Sequence, residues 1–183
     1  KLPYKNVVIV NAVGNSPNAS VSAHRLGLKT ALYANIGHDR GGKECLESLR
    51  REGVATDFLI QHEGKTTNSH YILRYGAERT ILIKHEEFPY ALPLFLEPPR
   101  YMYFSSVGEN SLQFHHDVAT YVRTHPETKL VFQPGTFQIR LGYETLKDLY
   151  AVTEIFFCNK EEAQMILDVN TKDITALLLG LKE

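Results

Sequence analysis

Apolar and polar positions fall in short blocks along this chain, and the block lengths predict an alternation of strands and helices. Val7 to Val10 is a β-branched apolar run that predicts a strand. Gly14 allows a turn. Asn15 or Ser16 is then expected to cap a helix with Pro17 at its first position, where a missing N–H costs nothing, and with Ala19, Ala23 and Leu26 on its packed face. Lys29 to Ile36 reads as a strand, Gly37 to Arg40 as a turn, and Gly42 to Glu52 as a helix carrying Cys45, Leu46 and Leu49 on one face and closed by Gly53. Val54 to Ile60 predicts the next strand. This order predicts a largely parallel sheet covered by helices.

Thr66 to His85 breaks the rhythm. Tyr71, Leu73 and Tyr75 alternate before Gly76-Ala77, and Thr80, Leu82 and Lys84 alternate with Ile81 and Ile83 after it, the pattern of a β-hairpin. A connection rich in proline (Pro89, Pro93, Pro98, Pro99) follows. Strands are then expected at Tyr101 to Ser105, Lys129 to Gln133 and Glu154 to Cys158, with helices at Asn110 to Thr124, Gly142 to Tyr150 and from near Lys160.

Composition narrows the function classes. With 43% hydrophobic and 22% charged residues among 183, the chain has the make-up of a globular protein with one good core. A net charge of −1 gives no global positive field for nucleic acid or an anionic membrane, so neither is expected as a partner. No apolar stretch reaches the length of a membrane span, and Lys1-Leu2-Pro3-Tyr4 reads as a start in mid-chain rather than a signal peptide. Two isolated cysteines, Cys45 and Cys158, make neither a disulfide framework nor a zinc site and favour a reducing, cytoplasmic setting. Eight histidines show no metal-ligand spacing, and the adjacent His115 and His116 are expected at the surface or in a cap.

Three segments carry candidate chemistry. In Val13-Gly14-Asn15-Ser16-Pro17-Asn18, the amides of Asn15 and Asn18 sit at a helix start beside free backbone N–H groups, where groups that both donate and accept suit a polyhydroxylated ligand; an ordinary capped helix uses the same residues. In Cys158-Asn159-Lys160-Glu161-Glu162, a buried strand ends in an Asn-x-x-Glu turn, which is also a plain capping box. In Val131-Phe132-Gln133-Pro134-Gly135, Gln133 lies at another strand end, beside a turn that Pro134-Gly135 alone would explain.

Gly14, Asn18 and Arg25-Leu26-Gly27 resemble the substrate signature of the ribokinase-like (PfkB) carbohydrate kinases, Gly-Gly-x-x-x-Asn followed by a small-residue helix ending in Arg-Leu-Gly, with Val13 in place of the first glycine. Asn159 and Glu162 resemble the same family's Asn-x-x-Glu motif. The resemblance runs from about Asn11 to Ala163 and more weakly to Leu181. It implies a three-layer, Rossmann-like ribokinase fold with a small β lid, formed by the hairpin at about 66–85, that covers the substrate and can mediate a homodimer. It further implies an ATP- and Mg²⁺-dependent kinase that phosphorylates a sugar or nucleoside hydroxyl. Gly14, Asn15, Asn18, Thr67, Asn68 and Gln133 would contact the substrate, Asn159 and Glu162 the nucleotide, and Glu162 the metal.

Departures from the family pattern matter equally. Where many members carry Asp-Pro-Asn-x-Arg, this chain has Gln133, Gly135 and Phe137, and a phenylalanine cannot hold an acidic or phosphorylated sugar as arginine would. No Gly-Ala-Gly-Asp-like motif with a catalytic aspartate occurs before Glu183. Residues 1–183 therefore read as an internal part of a kinase domain, inactive alone. A ligand-binding protein without turnover on the same fold is the alternative. An NAD-dependent oxidoreductase fits poorly, because no Gly-x-Gly-x-x-Gly follows a strand.

Overall fold

The computed structural model describes residues 4–182, which fall into two compact units, 4–88 and 89–182. The first unit contains α1 (Asn15–Arg25), β1 (Ala34–Gly37), α2 (Arg40–Arg51), β2 (Leu59–His62), β3 (Ser69–Tyr75) and β4 (Glu78–Lys84). β1 and β2 pair in parallel, from Ala34 opposite Leu59 to Gly37 opposite His62. Both strands are shorter than their apolar runs. A bridge between Ala31 and Ala55 continues the pairing, and a turn closed by Leu59 N–H donating to Thr56 O at 3.0 Å separates it from the regular ladder. Leu32, Leu49 and Val54 are buried together, with Ala12, Val21, Ala34 and Leu59 packed against them. The apolar face of α2 thus lies on the β1–β2 pair, and burial of these side chains holds the layer.

β3 and β4 form the expected antiparallel hairpin, with Tyr75 opposite Glu78 across Gly76-Ala77 and Ser69 opposite Lys84 at its base. Every residue of both strands is exposed. The alternation that predicts the hairpin is therefore real, although neither face is covered within this unit.

Two expectations for the first unit fail. Val7 to Val10 forms no strand and is exposed, because a β-branched run acquires a ladder only beside a partner and β1 pairs with β2 alone among the described residues. α1 begins two residues earlier than predicted. Gly14, at φ +134°, is its N-cap, so neither Asn15 nor Ser16 caps, and Pro17 is the third helical residue, still among the positions whose N–H has no intrahelical partner. Leu26 is exposed rather than packed, since it falls just past the end of that helix.

The second unit holds β5 (Tyr101–Phe104), a short 3₁₀ turn (Glu109–Ser111), α3 (Leu112–Thr124), β6 (Lys129–Phe132), α4 (Thr136–Leu141), α5 (Tyr143–Tyr150), β7 (Thr153–Phe156), α6 (Lys160–Leu167) and α7 (Ile174–Gly180). The three strands form one parallel sheet in the order β5-β6-β7. Phe132, wholly buried on the central strand, has its ring centroid 5.8 Å from Phe104, 5.5 Å from Tyr150 and 5.8 Å from Phe156. α3 packs against α5, with Val118, Ala119 and Val122 of the one and Leu146 and Leu149 of the other buried, while Phe114 lies against Tyr90 and Phe104. Burial pushes the Tyr150 hydroxyl up to about 12.

α4 is not among the elements expected from the sequence, since its six residues are too few to show a helical period. His115 is a correction. It is buried on the inner face of α3 and lies against Phe104, because on a helix adjacent residues point about 100° apart and only His116 is left partly exposed.

Candidate functional site

In the first unit, Gly14, Asn15 and Asn18 lie at the exposed start of α1. Gly14 O accepts from Asn18 N–H at 3.0 Å, the first turn of that helix. Both asparagine amides are therefore held on a fixed backbone at the surface.

Thr67 and Asn68 lie at the base of the hairpin, and the structure gives each a specific anchor. Asp39 caps α2 by accepting from Gly42 N–H at 2.8 Å, and the same carboxylate receives Thr67 N–H at 2.9 Å and Thr67 Oγ1–H at 2.6 Å. Thr67 Oγ1 in turn accepts from Gly37 N–H at 3.1 Å. This knot joins the end of β1, the start of α2 and the segment leading into β3. The Thr67 hydroxyl and N–H hold the Asp39 carboxyl below the usual carboxylate range, against the opposing effect of burial. Asn68 Oδ1 accepts from Glu86 N–H, tying the two legs of the hairpin together. Glu86 also receives Thr66 Oγ1–H at 3.0 Å and pairs with Lys65 at 3.3 Å. Asp39 was missed from sequence, although Asp followed three residues later by glycine at a helix start is a recognisable cap.

In the second unit, the carboxyl ends of three neighbouring parallel strands deliver loops to one edge of the sheet, the place where open α/β sheets bind ligands. β5 runs into Ser105-Ser106, β6 into Gln133-Pro134-Gly135, and β7 into Phe157-Cys158-Asn159. Pairing extends past the last strand residues, with Gln133 N–H donating to Phe104 O and Phe157 N–H donating to Phe132 O, each at 2.9 Å. The loops carrying Gln133 and Asn159 are thus side by side, and α4 packs against α6 beyond them. Gln133 is half-buried, its Oε1 accepting from the Tyr103 hydroxyl.

Asn159 and Glu162 form a complete capping box. Asn159 Oδ1 accepts from Glu162 N–H at 2.8 Å, and Glu162 Oε2 accepts from Asn159 N–H at 2.9 Å. Glu162 Oε1 and the Asn159 Nδ2 amide make none of the cap's bonds. The Cys158 thiol just before this cap is pushed up, chiefly by burial and then by Glu162. Among the described residues no group of three or more His, Cys, Asp and Glu is placed to hold a metal, and no helix is long and apolar enough to cross a membrane.

A family model described as pfkB family carbohydrate kinase matches residues 8–183. An uncharacterized sugar kinase of Archaeoglobus fulgidus is 37% identical over 59 residues, which is 32% of this chain and 24% of that protein. The structure of ribokinase from Giardia lamblia superposes with a TM-score of 0.72 at 17% identity, over 100% of this chain and 60% of that one. A fructokinase from Vibrio cholerae, solved with fructose, ADP and calcium ion bound, does so with a TM-score of 0.69 at 16% identity, over 92% and 59%. The chain spans between about a quarter and a half of the length of the curated relatives it matches. A match across almost every residue, together with a fold shared with these kinases, establishes the class: the chain belongs to the pfkB family of carbohydrate kinases.

Proposed function

We propose that these residues form the substrate-binding part and the first nucleotide-contacting element of an ATP-dependent sugar or nucleoside kinase. The observation that carries this reading is the sheet edge where β6 and β7 set Gln133 beside the Asn159–Glu162 cap. Asn15 and Asn18 bind acceptor hydroxyls, since an amide both donates to and accepts from a hydroxyl. Gln133, fixed by Tyr103, presents its amide from the strand end. Thr67 and Asn68 act at the base of the lid, and their bonds to Asp39 and Glu86 set where that lid starts.

Asn159 and Glu162 face the nucleotide. The donor set fits Mg²⁺, a hard cation that keeps several waters and is held by one or two carboxylates together with substrate phosphates. Glu162 Oε1 would hold it through water, and the Asn159 amide would sit beside the phosphates. When bound, the ion neutralises charge on the transferring phosphoryl group. The capping box orients both side chains before any ligand arrives, so little ordering remains to be done on binding. None of the residues named here is assigned to take the proton from the acceptor hydroxyl, and turnover is therefore tested in the full chain. The exposed apolar rows of β3 and β4, with Tyr71, Leu73, Leu82 and Ile83, fit a lid that meets the partner's lid in a homodimer.

The test is a coupled ATP assay of the full chain against sugars and nucleosides. Asn18→Ala is expected to raise KM for the acceptor, and Glu162→Ala to lower kcat and shift the Mg²⁺ dependence. A Glu162→Ala enzyme with an unaltered Mg²⁺ profile removes that residue from the metal site. Acceptor binding without turnover in the unaltered full chain favours a ligand-binding protein instead.

A further inference from the structure

A closed network of neutral groups lies directly behind the Gln133 loop. Gln138 and His115 are each about 1% exposed, and Ser111 and Ser105 are buried with them. Gly135 N–H donates to Gln138 Oε1 at 2.6 Å. A backbone N–H can only donate, so this bond fixes the amide's orientation and turns its NH₂ end toward Ser105 O at 3.2 Å and His115 Nε2 at 3.0 Å. His115 Nε2 therefore accepts, the imidazole proton sits on Nδ1, and Nδ1–H donates to Ser111 O at 2.7 Å. Ser111 Oγ–H continues the chain to Gly108 O, and Gly108 N–H donates to the Tyr90 hydroxyl at 2.8 Å. Every bond in this relay runs in one direction, from the Gly135 N–H after β6 through the loop that follows β5 to the Tyr90 hydroxyl in the segment before it. The two loops also touch, since a Cβ on Gly135 would collide with Ser106 Oγ.

We infer that Gln138, oriented by neutral His115, is a positioning residue for the acceptor site: it locks the β6–α4 turn to the β5 loop and so fixes the strand end that presents Gln133. The inference rests on the kinase reading for its effect on the acceptor, but not for the network itself. Only Pro134 separates Gln133 from Gly135, so a turn released at Gly135 frees the side chain that Tyr103 otherwise aligns. Protonation of His115 breaks the lock whichever way the amide turns. With Nε2–H formed, two donors face each other, and flipping the amide to relieve them sets its NH₂ against Gly135 N–H. The imidazole is surrounded by the Phe104 ring from β5, Gln138 from α4 and the Ser111 carbonyl of the 3₁₀ turn, and His116 on its own helix is the titratable group that acts on it.

The experiment uses the full chain with Gln138→Leu and Gln138→Glu. D-ribose and D-fructose serve as acceptors, and long-range ¹H–¹⁵N NMR reports the imidazole tautomer without any ligand. The unaltered protein should show the Nδ1–H tautomer. Gln138→Leu, which strands both Gly135 N–H and His115 Nε2, should shift the Gln133 side-chain amide resonance and raise KM for the accepted sugar about tenfold, with KM for ATP changed far less. Gln138→Glu should invert the pH dependence. The new carboxylate still accepts from Gly135 but needs His115 protonated, so acceptor KM should rise with pH, whereas in the unaltered enzyme it rises as pH falls below the ordinary histidine range. The carboxylate also loses its bond to Ser105 O, so the sign of the pH dependence, not the absolute KM, is the readout. An Nε2–H tautomer, an unmoved Gln133 resonance in Gln138→Leu, or parallel pH profiles in the two proteins overturns the proposal. If the unaltered protein phosphorylates neither sugar, the kinase reading for these acceptors fails, while the tautomer and the Gln133 resonance still decide the positioning role.

Discussion

The base of the hairpin and the edge of the β5-β6-β7 sheet solve the same problem with opposite chemistry. Each must hold a loop that bears candidate binding residues. The hairpin base does so with a carboxylate, Asp39, that is only partly buried and takes three donors. The sheet edge does so with a neutral amide and a neutral imidazole that are fully buried. The difference follows from solvent access. A carboxylate is cheap to keep ionised where water reaches it and its hydrogen bonds are strong, whereas a buried charge without a counterion carries a desolvation cost of several kcal/mol, on the order of what a domain can spare. A surface hairpin can be tied by charge; a strand end backed by the core cannot.

The most damaging single change to the first arrangement is Asp39→Ala. It removes the cap of α2 and both Thr67 bonds at once, and a cap plus a charge-assisted bond amounts to about 2 kcal/mol. Amide exchange should speed up at Gly42 and Thr67 and along β3, while Gly135 and the sheet of the second unit keep their protection. Asp39→Asn should cost less, because one amide oxygen can still cap. Loss of protection at Gly135 in Asp39→Ala would show that the two devices are not independent.

Acidification separates them without mutation. Thr67 holds the Asp39 carboxyl below the usual range, so its contribution to stability is present above the unfolded value of about 3.9 and is lost as pH falls below it. Burial, the dominant influence, holds the His115 imidazole below the ordinary histidine value and outweighs the opposing Ser111 bond. At neutral pH the folded His115 is thus uncharged. The unfolded chain takes up that proton near pH 6.5, so this contribution is present above about 6.5 and declines as pH drops below it. Between about pH 6.5 and 4, the Gln138 network should weaken while the Asp39 knot holds. Exchange at Gly135 and Thr67, corrected for intrinsic rates, measured at pH 7.5 and 5, checks this; equal changes at both sites would erase the contrast.

What the sequence made legible divides along the same line. The hairpin, its Gly76-Ala77 turn and the three strands of the second unit were readable because alternation and apolar runs are local signals. The Asn159–Glu162 cap was readable because its partners are three residues apart. Val7 to Val10 misled because a strand is a property of two segments, and apolar content speaks for only one. His115 misled because its partner Gln138 lies 23 residues away, on a short helix that has no periodicity of its own to announce it. The Thr67 hydroxyl is engaged by Asp39 across 28 residues, a link no spacing rule contains.

The smallest expected change in stability is the sharpest test of whether a cap can also serve a ligand. Asparagine and aspartate cap helices about equally well, so Asn159→Asp should leave stability within about 0.5 kcal/mol, and Asn159→Ala should cost about 1 kcal/mol. Their effects on ATP use should fall in the reverse order. Asn159→Asp places a second negative charge beside Glu162, where nucleotide phosphates are proposed to lie, and should lower kcat/KM for ATP about tenfold or more, with relief as salt screens the repulsion. Asn159→Ala adds no charge and should lower it less. If ATP use instead tracks stability, with the aspartate variant active and the alanine variant impaired, then Asn159 acts only through the helix it caps. The nucleotide reading of this turn would then rest on Glu162 alone.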